Sequence, residues 1–119
     1  MKFVIHGSIR SKKNSKRIFG VGRCKKVLPS KAYEQWEKGA HGELWHQIRG
    51  IFFNEPIWVK AIFYYKGKRP DIHGAMESLA DCLEGVLIQN DSQIESWDGS
   101  RMIHDKDDPR TEFEIVRYE

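Results

Sequence analysis

Residues 56–66, PIWVKAIFYYK, limit the fold of this chain more than any other segment. β-Branched and aromatic side chains fill most of its positions, which suits a pleated sheet surface and disfavours a helix. The segment is expected to be the central strand of a sheet. A basic turn, Lys66-Gly67-Lys68-Arg69-Pro70, then delivers the chain to a helical period running from Asp71 to about Glu84, with Gly85 as its stop. On that helix Ile72, Met76, Leu79, Leu83 and Val86 make an apolar stripe. His73, Glu77 and Asp81 gather within about 80° of one another on the other side. Asp71 stands at the helix N-terminus, where a carboxylate caps the first turn and meets the positive end of the dipole.

The remaining elements follow from similar patterns. Lys2–Arg10 alternates buried-type Phe3, Ile5 and Ile9 with Val4, His6 and Ser8, a half-buried strand. Residues 11–26 are rich in Lys, Arg, Ser and Gly and have no amphipathic period. They read as a loop, with room for a short strand or hairpin around Arg17–Val27. Ser30 is the expected N-cap of a helix whose apolar stripe is Tyr33, Trp36, Ala40, Leu44 and Ile48. Trp36 and Trp45 are expected in the core or at a dimer contact rather than as base-stacking residues. His41 and His46 are five residues apart, a poor helical metal pair. Two final strands are expected over about Gln93–Ile103 and Thr111–Arg117, joined by the Asp-rich turn His104–Pro109. Asp98-Gly99 inside the first suggests a bulge or a turn. The whole is one α+β domain spanning residues 1–119, a mixed sheet of four to five strands packed by two helices.

Charge narrows the function. The chain has 20 Lys and Arg against 17 Asp and Glu, a net +3. Residues 1–33 hold ten of the basic residues and no acid, so a basic arm is joined to an acidic body. That asymmetry points to a polyanion partner, with a bound divalent cation reconciling the acids with it. No apolar run approaches the ~20 residues of a membrane span, and no signal-type segment opens the chain. A cytoplasmic protein without a membrane partner is expected. Cys24 and Cys82 fit no metal-ligand spacing and are expected to be reduced thiols.

The carboxylates of Asp71, Glu77, Asp81 and Asp91 come from a helix start, a helix face and a separate loop. Oxygen ligands so distributed suit Mg²⁺ or Mn²⁺, which activates water and stabilises charge on a scissile phosphate. An acidic helix face that is merely solvated is the alternative.

The run Arg69-Pro-Asp71-Ile-His73-Gly74-Ala-Met-Glu77-Ser-Leu-Ala-Asp81-Cys-Leu83, followed by Asn90-Asp91-Ser-Gln-Ile94, resembles the RusA family of Holliday-junction resolvases. The family pattern is R-x-D-x-D-N-x-x-K-x-x-x-D-x-L, a short link, then D-D-x-x-I. The stretch from Asp98 to Ile115 is similar to the closing hairpin of a phage-associated branch of that family. The match covers nearly the whole chain and is most specific between Arg69 and Ile115.

The resemblance implies a homodimeric, Mg²⁺- or Mn²⁺-dependent endonuclease that cuts four-way DNA junctions or related branched DNA, in a bacterial cell or a phage or prophage setting. It implies that Asp71 and Asp91 match metal-binding aspartates and that Asp81 matches the helix aspartate. Four positions depart from the pattern. His73 replaces an aspartate, Gly74 an Asn, Glu77 a Lys, and Asn90 the first of the paired aspartates. On the active reading Asp71, His73, Glu77 and Asp91 form the catalytic set, with Asp71, Glu77, Asp81 and Asp91 holding metal. On the alternative reading the site has decayed and the protein binds branched DNA without cutting it. Lys12, Lys13, Lys16, Arg17, Arg23, Lys68 and Arg69 are the expected contacts to DNA phosphates.

Overall fold

The computed structural model describes residues 1–11, 17–19, 26–28 and 31–118, with the two three-residue pieces described by their backbone alone. The elements in chain order are β1 (Lys2–His6), β2 (Arg17–Phe19), β3 (Lys26–Leu28), α1 (Lys31–Ile48), β4 (Ile57–Tyr65), α2 (Ile72–Leu83), a 3-10 turn (Asp91–Gln93), β5 (Ile94–Ser96), β6 (Arg101–His104) and β7 (Arg110–Arg117). β4 is the centre of a five-stranded sheet. β7 pairs antiparallel with one edge of β4 and β1 pairs antiparallel with β7. β5 and β6 lie in succession along the other edge of β4, both parallel to it. The sheet is therefore mixed, and with α1 and α2 the architecture is α+β as expected. β2 and β3 pair antiparallel as a separate ribbon, within the segment where a hairpin is expected.

Alternation along β4 sets the core. Ile57, Val59, Ala61 and Phe63 are fully buried on one face. Phe3 and Ile5 of β1 and Phe113 and Ile115 of β7 share their layer, with the Phe3 and Phe113 rings stacked at 5.2 Å between centroids. Tyr33, Trp36, Ala40 and Leu44 of α1, and Leu79 and Leu83 of α2, close it from the helical side. Removing this much apolar surface from water is the main force that holds sheet and helices together.

Several local expectations are corrected. β1 stops at His6 instead of running to Arg10, because Gly7 turns the chain at φ +96° and donates its N–H to Pro109 O at 2.8 Å. The strand expected over Gln93–Ile103 is two strands, broken at Asp98-Gly99. The break is neither a bulge within one strand nor a hairpin, since β5 and β6 run in the same direction along β4. Trp58 and Ser100 hold the jog, through Trp58 Nε1–H to Asp98 O at 2.9 Å and Ala61 N–H to Ser100 Oγ at 3.0 Å. β6 and β7 do not form a closing hairpin, because they lie on opposite edges of β4 and their turn crosses over its end. Trp36 is in the core as expected, and of the two places expected for Trp45 its 79% exposure removes the core. On α2, Ile72 and Met76 are only half-buried, as is Val86 past its end, while Gly74, Ala75 and Ser78 are buried. The expected N-cap Ser30 and the thiol Cys24 lie outside the described residues. Among the described residues no helix is long and apolar enough to cross a membrane.

Candidate active-site end of the sheet

Three connections meet where β4 ends. Residues 7–11 follow β1, residues 66–71 follow β4, and residues 104–110 lead into β7. Gly7 is bonded to Pro109, Lys66 N–H donates to Ser8 Oγ at 3.2 Å, and Asp105 N–H donates to Tyr65 O at 2.8 Å. Each connection is thus fixed to another by backbone donors that would otherwise be unsatisfied at a strand end.

Arg110 organises the third connection. Its guanidinium lies 3.8 Å over the Tyr64 ring and bonds Asp105 Oδ2 at 3.2 Å and Glu112 Oε2 at 3.0 Å. The N–H groups of Asp108 and Asp107, with Arg110, hold the Asp105 carboxyl below its ordinary range. Three of the four acids in residues 105–112 are therefore bound to one arginine, which leaves the Asp-rich turn a structural device.

α2 starts from this end. Asp71 precedes it with an extended backbone, and its side chain makes no capping hydrogen bond, contrary to the expected cap. Asp71 and His73 are exposed, and so are Lys66, Lys68 and Arg69 in the turn that leads to them. A carboxylate and an imidazole thus stand among cations that attract phosphate.

The root of the basic arm lies against the same helix. Ser78 Oγ–H donates to Arg10 O at 2.7 Å, and the Ser11 hydroxyl occupies the space above Gly74, 2.7 Å from where a Cβ would sit. Gly74 is therefore required by the close approach of residues 10–11, which gives its departure from the family's Asn a physical reason. Lys12, Lys13, Lys16 and Arg23, and the side chain of Arg17, lie outside the described residues.

The other acids are placed differently. Glu77 and Asp81 are half-buried, and both are engaged in further interactions. Asp81 faces the seam between α2 and α1, near Tyr33 and Cys82. The Tyr33 hydroxyl donates to Glu37, and His41 Nε2 meets Cys82 O at 2.9 Å across the same seam. Burial raises both the Tyr33 phenol and the Cys82 thiol, and Glu37 and Asp81 add to it, so that the thiol is pushed up to about 12.

Asp91 lies past the other end of α2, beside the start of β4. Its N–H donates to Glu84 Oε1 at 2.8 Å, just past the end of α2. Gln93 ties the same turn to the approach to β4, through Nε2–H to Phe53 O at 2.9 Å and to Glu55 O at 3.0 Å. β5 then pairs beside Ile57, the first residue of β4. The 12 residues of α2 span about 18 Å. Two oxygens bound to one Ca²⁺- or Mg²⁺-like ion are no more than about 5 Å apart. One chain therefore cannot bring Asp71 and Asp91 to a single ion. Among the described residues no three His, Cys, Asp or Glu side chains converge on a metal position. The residues of a single chain do not fit the divalent cation that the family resemblance implies.

Ser11, Ser78 and Glu84 are positioning residues that the sequence reading did not identify. Gly74 and Ser78, four apart on the helix face, were the available signal for a close backbone approach. The bond from Glu84 to Asp91 joins residues seven apart across an irregular link and has no periodic signature.

A model of the endodeoxyribonuclease RusA family matches residues 7–116. A comparison with curated proteins finds no match. The matched span begins just after β1 and includes the other six strands up to, but not including, the last residue of β7, both helices, the basic turn and the Asp71 end of the sheet. The chain belongs to the RusA endodeoxyribonuclease family.

Proposed function

We propose that this protein is a structure-selective endonuclease that resolves Holliday junctions or related branched DNA, acting as a homodimer with Mg²⁺ or Mn²⁺. Family membership over residues 7–116 carries the endonuclease reading. The exposed cations Lys66, Lys68 and Arg69 beside exposed Asp71 and His73 support it, as does the anchoring of the basic arm at Ser11.

In this reading the cations of residues 66–69 and of the arm hold phosphates on either side of the scissile linkage. Such contacts fix register without reading sequence. Asp71 and His73 lie next to the phosphate so held. Hydrolysis adds a water oxygen to phosphorus and breaks the bond to the 3′ oxygen, leaving a 5′ phosphate and a 3′ hydroxyl. Resolution of a four-way junction needs two opposed cuts, which a two-fold dimer supplies with two equivalent sites.

The test is cleavage of an end-labelled four-way junction beside a linear duplex of matched sequence, with Mg²⁺, Mn²⁺ or EDTA. Paired, symmetric nicks in the junction alone, abolished by EDTA, are expected. Tight junction binding without nicks in either metal would contradict the catalytic reading and identify a non-cutting junction binder.

A further inference from the structure

We infer that the groove between residues 6–10 and the first turns of α1 is a subsite for a DNA phosphodiester, with the Arg10 guanidinium and the Trp36 indole N–H as its donors. The inference rests on the branched-DNA reading above and adds to it a second place where a strand is held.

The groove is lined by His6, Gly7 and Arg10 on one side and by Gln35, Trp36 and Gly39 on the other. Trp36 is 8% exposed, and its Nε1–H has no hydrogen-bond partner among the described residues. A donor left unpaired in a protein interior is costly, and such groups are nearly always satisfied. Trp36 Cδ1 is 4.0 Å from the ideal Cβ position of Gly7, so the indole turns its Cδ1–Nε1 edge toward the chain that lines the groove. A ligand oxygen seated there completes the donor.

Gly39 is an independent sign of close approach. It lies in the interior of α1 and is exposed, and a Cβ on it would meet nothing within 4 Å. Glycine weakens a helix interior against Ala, and no contact among the described residues demands it here. It leaves the helix backbone open from outside, one turn from both Gln35 and Trp36.

Charge decides what approaches. Arg10 is exposed, and its backbone is pinned by the Ser78 hydroxyl, which donates to Arg10 O at 2.7 Å. The acid that lines the groove, Glu43, is occupied, taking the His6 N–H at 2.8 Å and meeting the His6 ring at Nδ1. The remaining groups, the guanidinium, the indole N–H and the Gln35 amide nitrogen, all donate, a set that suits a phosphate oxygen. Residues 10–11 also touch α2 at Gly74 and Ser78, so the groove and the start of α2 flank one strap of backbone.

The test compares full-length wild type with Arg10→Ala, Trp36→Phe and Gly39→Leu, reading affinity for a four-way junction beside the urea midpoint of each protein. Gly39→Leu fills the groove from an exposed helix position. Its urea midpoint should equal or exceed that of wild type, while junction affinity falls about tenfold. Trp36→Phe removes the indole donor, and affinity should fall about five- to tenfold. That variant also loses packed volume in the core, so Gly39→Leu decides. Arg10→Ala should lower the slope of log K against log salt by about one. A neutral methylphosphonate linkage, moved along the junction arms, should locate a phosphate whose neutralisation weakens binding by wild type and not by Gly39→Leu. Wild-type affinity in Gly39→Leu, or the lack of such a phosphate, would overturn the subsite and leave the endonuclease reading standing. A wild type that binds neither junction nor duplex DNA would overturn both.

Discussion

The Ser11 hydroxyl fills the position that a Cβ on Gly74 would take, 2.7 Å from its ideal location, with Ser11 Cβ at 3.1 Å. This contact couples the root of the basic arm to the first turns of α2, close to Asp71. Gly74→Ala must displace residues 10–11 or tilt α2, against the helix-propensity gain of about 1 kcal/mol that Ala brings over Gly. A net destabilisation of about 1–3 kcal/mol is expected from the overpacking. In a Ser11→Gly background the penalty should shrink or reverse. Urea denaturation of the four proteins in a double-mutant cycle measures the coupling. Additive effects would mean that the two residues do not press on one another.

Cys82 and Tyr33 give the fold an alkaline limit. Burial, with Glu37 and Asp81 nearby, pushes the Cys82 thiol up to about 12 from an ordinary value of 9.0. A group raised in the folded state contributes stability that is fully present below its unfolded value and lost as pH rises through its folded one. Stability should therefore fall between pH 9 and about 12, by up to about 1.4 kcal/mol per pH unit from this thiol. Denaturant midpoints for wild type and Cys82→Ala at pH 8 and pH ~10.5 test it. The variant should lose less stability than wild type over that interval, and equal losses would contradict the assignment.

Lys68 and Arg69 are exposed beside Asp71, and they are expected to act on DNA affinity rather than on folding. Replacing both with Ala should weaken junction binding at low salt and lower the slope of log K against log salt by about two. The melting temperature should stay within about a degree or two, as for surface changes without packing. An unchanged salt slope would remove the 66–69 turn from the DNA-binding surface.

Legibility of the fold and the site in the sequence followed the range of the interactions. β4 and α2 were readable because their signals are local: an unbroken β-branched and aromatic run, and an apolar stripe ended by Gly85. The α+β class, the two helices and a mixed sheet of four to five strands came with them, and the sheet has five. The jog at Asp98-Gly99 was marked by its turn residues, but its consequence was not, because both halves find their partners far away in sequence, Ile94 at Ile57 and Arg101 at Ile62 of β4. The crossing of residues 104–110 over the end of β4 was lost for the same reason. At the site, Asp71 and the basic turn were visible as a motif. The separation of Asp71 from Asp91 was invisible, because motif order says nothing of which end of a helix each residue occupies.

Nicking of a labelled four-way junction by wild type and by Asp71→Asn, measured beside the affinity of each for the same junction, tests whether the chemistry takes place at the Asp71 end of the sheet. Asp71 is exposed and uncapped, so the variant should fold and bind the junction within a few-fold of wild type. Its nicking rate should fall by at least about a hundredfold, the usual cost of removing a group that acts at the reacting phosphate. Nicking by Asp71→Asn at the wild-type rate would contradict the account and move the chemistry away from this end of the sheet.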